Sequence, residues 1–390
     1  MSFTVSPRIS SVEAPPIAEA MTWIKPGERN RELLNLSQAV PSYPPADILQ
    51  DEIARLARDP AASLYTNISG IDELRSELSG HMMADYGGTI APENVAIVSG
   101  CNQAFCATIM ALAQRGDNVV LPSPYYFNHQ MWLDMVGVEK RLIPAFAAGR
   151  THPSPQDAEA MIDERTRAII LCSPNTPTGA IYPPNVIAAF YDLAKNAGTA
   201  LIIDETYKDF RSTPQPLHGL FARTGWQDTF IQLYSFSKVF AMTGYRVGSI
   251  IAGQQILREA EKILDCMAIC APNISQRAAL FGLQHLDDWK RGKRELMDGR
   301  RHALHAAFKT PGLRYRLSSS GAYFAYVEHP FERETAKSVA MRLAGEHDVL
   351  CLPGTMFGPD QGRYLRFAFA NSPAESMQPL VDRLIESQEY

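Results

Sequence analysis

A chain of 390 residues exceeds what one hydrophobic core usually supports, so two domains are expected. Apolar residues make up 46% and charged residues 20%, an ordinary balance for a globular enzyme. The net charge of −5, with no dominant basic stretch, argues against nucleic acid or an anionic membrane as a partner.

The N-terminal stretch MSFTVSPRISSVEAPP is polar and broken by proline, with no apolar h-region, so it does not read as a secretory signal. The first 45 residues are proline-rich and irregular and are expected to pack against the smaller domain or a partner subunit. Short, β-branched apolar runs then recur at 94–99 (NVAIVS), 118–122, 167–172, 199–204, 229–234 and 246–252. Apolar runs without alternation suit strands covered on both faces. The segments NQAFCATIMALAQRG and NVIAAFYDLAKNAG between them carry helix-spaced apolar residues and end at glycine. Strand alternating with helix predicts an α/β domain over 46–285, with a mainly parallel sheet flanked by helices.

After about residue 285 the pattern changes. DDWKRGKRELMDGRRHALHAAF predicts a charged amphipathic helix, followed by shorter strands at 321–328 and 363–370 and a terminal helix. We read 286–390, together with 1–45, as a smaller α+β domain. No internal repeat or low-complexity tract is present, and no run of about 18 apolar residues predicts a transmembrane helix. The six cysteines, Cys101, Cys106, Cys172, Cys266, Cys270 and Cys351, form no Cys-x-x-Cys pair. They read as buried, reduced thiols of a cytoplasmic protein, and no histidine stands near Cys266 and Cys270 to complete a metal site.

Ligands of open α/β sheets gather at the carboxyl ends of the strands. Here five of those ends lead into SGCNQAF (99–105), PSPYYF, SPNTPTGA (173–180), DETY (204–207) and SFSK (235–238). Gly100 followed at once by a helix start offers free backbone N–H groups to an anion, and Ser235, Ser237 and Arg246 add donors. Taken alone, it reads more readily as a plain strand-to-helix turn. Asp204 closes an apolar run and, once buried, needs a cation or donors; an N-cap is the bland alternative. Lys238 stands in apolar sequence, where lost solvation lowers its pKa and frees a reactive amine. Neither G-x-x-x-x-G-K-[ST] nor G-x-G-x-x-G occurs, which removes P-loop and dinucleotide readings. Pyridoxal phosphate needs all these parts together: a lysine for its aldehyde, a cradle for its phosphate and an acid for its ring nitrogen. Asn175 and Tyr207 are candidate donors to its phenolic oxygen, and Tyr126 a candidate ring face.

With these residues in place, the chain resembles the fold-type I, class I/II aminotransferases. The resemblance runs through NLSQAVPSYPP (35–45), YTNISGIDELR (65–75), SGCNQA (99–104), PNTPTG (174–179), DETY (204–207), SFSKVFAMTGYRVG (235–248), PGTMFG (353–358) and YLRFAFA (364–370). It implies that Lys238 is the Schiff-base lysine, Asp204 the partner of the ring nitrogen, and Asn175 and Tyr207 the contacts of the phenolic oxygen. Tyr126 falls at the stacking position. Cys101, Asn102 and Gln103 match the phosphate loop, joined by Ser235 and Arg246, with Ser237 a further candidate. Tyr65 matches a tyrosine that reaches the phosphate in a neighbouring subunit, which implies a homodimer with shared active sites. Arg366 matches the arginine that grips the substrate α-carboxylate.

Two departures stand out. Ala39 occupies a position where the family often has glycine, next to the substrate. The region 266–275, CMAICAPNIS, lacks the arginine that aspartate-specific relatives often supply from the partner subunit for a distal carboxylate. The resemblance implies a transaminase working between an L-amino acid and a 2-oxo acid through pyridoxamine phosphate. The alternatives are a pyridoxal-phosphate lyase (β-elimination or cyclopropane-forming) on the same fold, and a ligand-sensing regulator. The second needs an added helix-turn-helix domain, for which about 45 proline-rich residues leave little room.

Overall fold

The computed structural model describes residues 3–25, 27, 31–146, 150–211 and 215–389. Its strands in chain order are β1 (Leu34–Asn35), β2 (Val95–Val98), β3 (Asn118–Ser123), β4 (Glu139–Pro144), β5 (Thr166–Cys172), β6 (Ala200–Asp204), β7 (Phe230–Ser235), β8 (Gly248–Ile251), β9 (Arg316–Gly321), β10 (Phe324–Glu328), β11 (Val349–Leu350), β12 (Leu352–Pro353) and β13 (Tyr364–Phe367).

Seven of them form one sheet in the order β2-β8-β7-β6-β5-β3-β4. Five neighbouring strands run parallel, whereas β8 is antiparallel to both β7 and β2. The alternation of side chains across a strand divides the core in two. Ile97, Ile169, Leu171, Leu201 and Ile203 face Phe190 and Tyr191 of the helix Pro184–Ala197. Ala96, Val98, Ala168, Ile170 and Ile202 face Phe105, Leu133 and Leu257 on the opposite side. The helix Pro184–Ala197 stops at Gly198, whose φ of +64° is a left-handed conformation that glycine adopts without penalty. Strand β4, at one edge of the sheet, escapes the apolar-run signal because its sequence EKRLIP is charged and leaves Glu139 and Pro144 exposed.

The second sheet is antiparallel, in the order β12-β13-β10-β9. Helices Asp287–Ala307, Ala336–Glu346 and Met377–Glu386 contribute Leu304, Val339, Leu343, Leu380 and Leu384 to its core. The short strand β1 pairs in parallel with β11. A short helix, Pro16–Met21, places Ala20 against Ala344, Leu350, Leu352 and Phe357, and Glu19 pairs with Lys337 at 2.5 Å. Within the irregular stretch 1–45, residues 1, 2, 26 and 28–30 lie outside the described residues.

The cysteines are free but not uniformly buried, which corrects the expectation from sequence. Cys101, Cys172 and Cys351 are buried, Cys106 and Cys270 are partly exposed, and Cys266 is exposed. Cys266 lies in the last turn of the amphipathic helix Gln254–Ala268, near exposed Met267. Among the described residues, no group of three or more His, Cys, Asp or Glu side chains is placed to hold a metal, and no helix is long and apolar enough to cross a membrane.

Candidate active site

The carboxyl ends of β3, β5, β6 and β7, with the helix start after β2, open on one cavity of about 340 Å³. Its lining includes Cys101, Asn102, Tyr126, Asp204, Tyr207, Ser235, Ser237, Lys238, Arg246 and Arg366, together with Ala39 from the N-terminal segment. Eleven of the fourteen sequence-predicted site residues therefore meet at one place.

Strand alternation explains the DETY motif. Asp204 faces the cavity; Glu205 faces the opposite way and is wholly buried, taking a hydrogen bond from Tyr86 Oη at 2.8 Å, another from Gln232, and pairing with His218 at 3.3 Å. Asp204 accepts from Thr206 N–H (3.0 Å) and Thr206 Oγ1 (2.7 Å), while His129 Nε2 donates to its other oxygen at 3.2 Å. Burial pushes the Asp204 carboxyl up, but the His129 and Thr206 contacts outweigh it and hold the carboxyl below its ordinary value. Asp204 is therefore an anion in an apolar wall. His129 lies in the helix Phe127–Val136, stacked on Phe105 with ring centroids 4.0 Å apart and edge-on to Tyr126 at 5.1 Å. Sequence reading missed it; its only signal is a histidine one helical turn after Tyr126. The thiols of Cys101 and Cys172 share the cavity. Burial, and then the Asp204 charge, push both well up, so they remain neutral.

Lys238 follows β7 in a single helical turn, Phe236–Val239, that Ser235 caps by accepting from Ser237 N–H at 3.2 Å. Its Nζ donates to the Ala39 carbonyl at 2.5 Å and stands 5.9 Å from the centre of the Tyr207 ring. Burial, followed by the nearby charges of Arg246 and Arg366, lowers its pKa to about 8. A lysine so placed has an accessible neutral amine near neutral pH.

The anion cradle is built where Gly100 turns with φ +89° into the helix Cys101–Leu112. A Cβ on Gly100 would stand 2.2 Å from Arg246 Nη2, so the guanidinium fills the space that glycine leaves. Arg246 Nη1 donates to Thr243 O at 2.9 Å and to Ser237 Oγ at 3.4 Å. The first N–H groups of the helix, the hydroxyls of Ser235 and Ser237, and this guanidinium thus converge on one spot suited to a phosphate.

Arg366 lies on β13, 2% exposed, between the rings of Phe324 (5.1 Å) and Phe357 (5.2 Å). It donates to the Ser37 carbonyl, and its Nε is buried without a partner. Burial lowers its pKa to about 10, which leaves it charged at neutral pH. An orphaned donor on a buried cation is a site waiting for an anion of fixed geometry, such as a carboxylate.

Three predicted residues do not line the cavity. Gln103 turns its Oε1 back to accept from Ser99 N–H at 2.6 Å. Asn175 is engaged locally: its Nδ2 donates to Tyr182 Oη at 3.0 Å, and its Oδ1 accepts from Thr178 Oγ1 at 2.8 Å. Tyr65 is 76% exposed and points to solvent in the single chain. Conversely, Pro15, Pro16, Ile17, Gln38, Phe127, Asn128 and Thr206 line the cavity and were not singled out from sequence.

The residues present fit pyridoxal phosphate: a neutralisable amine, a buried anion, a glycine-shaped phosphate cradle and a further cation with an unmet donor line one cavity. The family model for aminotransferase class I and II matches residues 31–384. An aromatic aminotransferase from Arabidopsis thaliana is 27% identical over 357 residues, covering 90% of this chain and 88% of its own. An aspartate aminotransferase from Thermotoga maritima is 27% identical over 367 residues, covering 94% and 93%. A solved structure of an aspartate aminotransferase from Thermotoga maritima superposes with a TM-score of 0.89 at 26% identity, covering 99% of this chain and 100% of that one.

Proposed function

The chain belongs to the class I and II aminotransferases and is a transaminase that depends on pyridoxal phosphate, and we propose that Lys238 is the amine that holds the cofactor aldehyde and then does the proton work. When bound, the cofactor supplies an electron sink for the bond broken at the substrate Cα. Asp204, kept ionised by His129 and Thr206, would hold a proton on the ring nitrogen. Arg366 takes the substrate α-carboxylate through two parallel hydrogen bonds and so orients the Cα–H bond. Lys238 Nζ would take the Cα proton and hold it for return; positioned acid–base catalysis of this kind is worth about 10²–10⁴-fold. Helix-start N–H groups at Cys101 and Asn102, with Ser235, Ser237 and Arg246, bind the phosphate. Tyr126 would cover the ring, Tyr207 would donate to the phenolic oxygen, and Ala39 would border the substrate. Asn175 and Gln103 act by shaping the loops that carry these groups.

The observation that carries this assignment is the juxtaposition of Lys238, lowered to about 8, with the ionised Asp204 and the unmet Arg366 donor in one cavity. Borohydride reduction of the holoenzyme followed by peptide mass spectrometry tests it: the adduct maps to Lys238, and Lys238→Ala abolishes both adduct and turnover. An adduct on another lysine refutes it. The relatives compared above are aminotransferases by name, which disfavours the lyase alternative; pyruvate and ammonia released without a keto-acid acceptor would restore it.

We further read the chain as a large cofactor-binding domain, 46–285, and a small domain of 1–45 with 286–390, working in the cytoplasm as a homodimer. Six free cysteines fit a reducing compartment. Support for the dimer comes from an apolar face on which Leu64, Tyr65, Met267 and Ile269 are exposed. Its two segments are stapled together, because Asn273 Nδ2 donates to the carbonyls of Ala61 and Leu64, both at 2.9 Å. Tyr65 then reaches the partner's phosphate. Sedimentation velocity decides it: a monomer at micromolar concentration rules the shared site out.

A further inference from the structure

We infer that the substrate side chain is apolar and that Ile17 and Phe127 select it. The inference rests on the reading of Arg366 as the α-carboxylate clamp. Among the described residues, the cavity is lined by four charged side chains: Asp204, Lys238, Arg246 and Arg366. All four are already committed. Asp204 serves the ring nitrogen, Lys238 the aldehyde and the proton, Arg246 the phosphate and Arg366 the α-carboxylate. No lining cation of this chain is left for a second carboxylate, and the segment 266–275, CMAICAPNIS, carries none for a partner to supply.

The remaining wall is apolar or neutral. Pro15, Pro16, Ile17, Phe127 and Phe324 line it, with the amides of Gln38 and Asn128. Phe127 and Ile17 pack into one cluster with Met131, Met356 and Phe357. The Phe127 ring stands 5.7 Å from Phe357, and the Phe357 ring lies 5.2 Å from the Arg366 guanidinium. The apolar wall therefore begins where the carboxylate clamp ends, which is where a side chain on Cα must go. Ile17 is held in place by its own short helix, through buried Ala20 and the Glu19–Lys337 pair. Ile17 is only half-buried in this structure, so an aliphatic or aromatic side chain would remove it from water. A carboxylate there would lose hydration and gain no counter-charge.

The test uses the holoenzyme and two independent readouts. The first is the half-reaction with phenylalanine, leucine and methionine against alanine, aspartate and glutamate, followed by the cofactor absorbance. The second is calorimetric binding of 3-phenylpropionate and succinate, which carry no amino group and undergo no chemistry. A single methylene in an apolar pocket is worth about 10–200-fold in kcat/KM, so the apolar donors should exceed aspartate and glutamate by at least about tenfold. 3-Phenylpropionate should bind more tightly than succinate. Ile17→Lys should move the aspartate-to-phenylalanine ratio toward aspartate by about tenfold or more, and Ile17→Asn reports the same ratio in smaller measure should the lysine variant fail to fold. A preference for aspartate or glutamate, tighter binding of succinate, or an unchanged ratio in the folded variants overturns the inference. If no amino acid is converted at all, the transaminase reading fails while the binding comparison still decides the pocket.

Discussion

At the scale of single residues, Lys238 meets two opposed demands. Its Nζ must be neutral to act, and it is held among groups that disfavour its charge. The folded state lowers its pKa from 10.5 to about 8, so between these values the unfolded chain binds the proton that the folded chain has shed. Stability from this group therefore rises with pH across that window, and the penalty is complete below about pH 8. The thermal midpoint of the apo wild type, measured relative to Lys238→Met, should climb as pH is raised from about 8 to about 10.5. A flat difference shows that the amine is not perturbed. Selective methylation of Lys238 in the apo protein should titrate with the same midpoint near pH 8. The residues invisible in the sequence explain themselves at this scale. Asp204 is legible because an acid closing an apolar strand is conspicuous, whereas His129 is brought to it by a helix from another strand end, and its spacing from Tyr126 does not show that the two meet. Gln103 and Asn175 are turned away by hydrogen bonds to Ser99, Thr178 and Tyr182, a choice of rotamer that residue type alone does not specify.

At the scale of elements, the site depends on turns at strand ends. Gly100 joins β2 to the helix Cys101–Leu112 with φ +89°, and the Arg246 guanidinium occupies the place of its missing side chain. Gly100→Ala imposes an unfavourable backbone conformation and displaces Arg246, so cofactor affinity should fall by about tenfold or more, in line with the loss of one charge-assisted contact of about 1.5–3 kcal/mol. Titration of the apo variant with pyridoxal phosphate checks it, and an unaltered affinity refutes the cradle. The large sheet was readable because its strands other than β4, including β2 at the opposite edge, are buried and carry unbroken apolar runs. The edge strand β4, charged and half-exposed, was not. Nor does sequence show that β8 runs against its neighbours, because direction depends on how the chain returns, not on the strand itself.

At the scale of the whole molecule, the loop that follows β5 of the large sheet touches the small sheet backbone to backbone. Gly179, at the end of PNTPTG with φ +72°, lies so close to Gly321 of β9 that a Cβ on Gly179 would stand 2.3 Å from Gly321 N. Gly179→Ala should destabilise the protein by about 1–3 kcal/mol, seen as a lower urea midpoint, and an unchanged midpoint would mean that this loop and β9 are free to separate. Two domains follow from chain length; that they meet at paired glycines does not, since the contact joins positions far apart in sequence. The N-terminal segment has a wider role than its irregular sequence suggests. Ala39 O accepts from Lys238 at 2.5 Å, Ser37 O accepts from Arg366, and Asn371 binds the carbonyls of Asn35 and Gln38. One ribbon of peptide thus acts as the stand-in partner for both reactive cations, tethered to the small sheet all the while. Whatever claims either side chain also takes it from a carbonyl of that ribbon, so the isotope-labelled carbonyl signals of Ala39 and Ser37 should shift in two successive steps, as cofactor and then substrate bind.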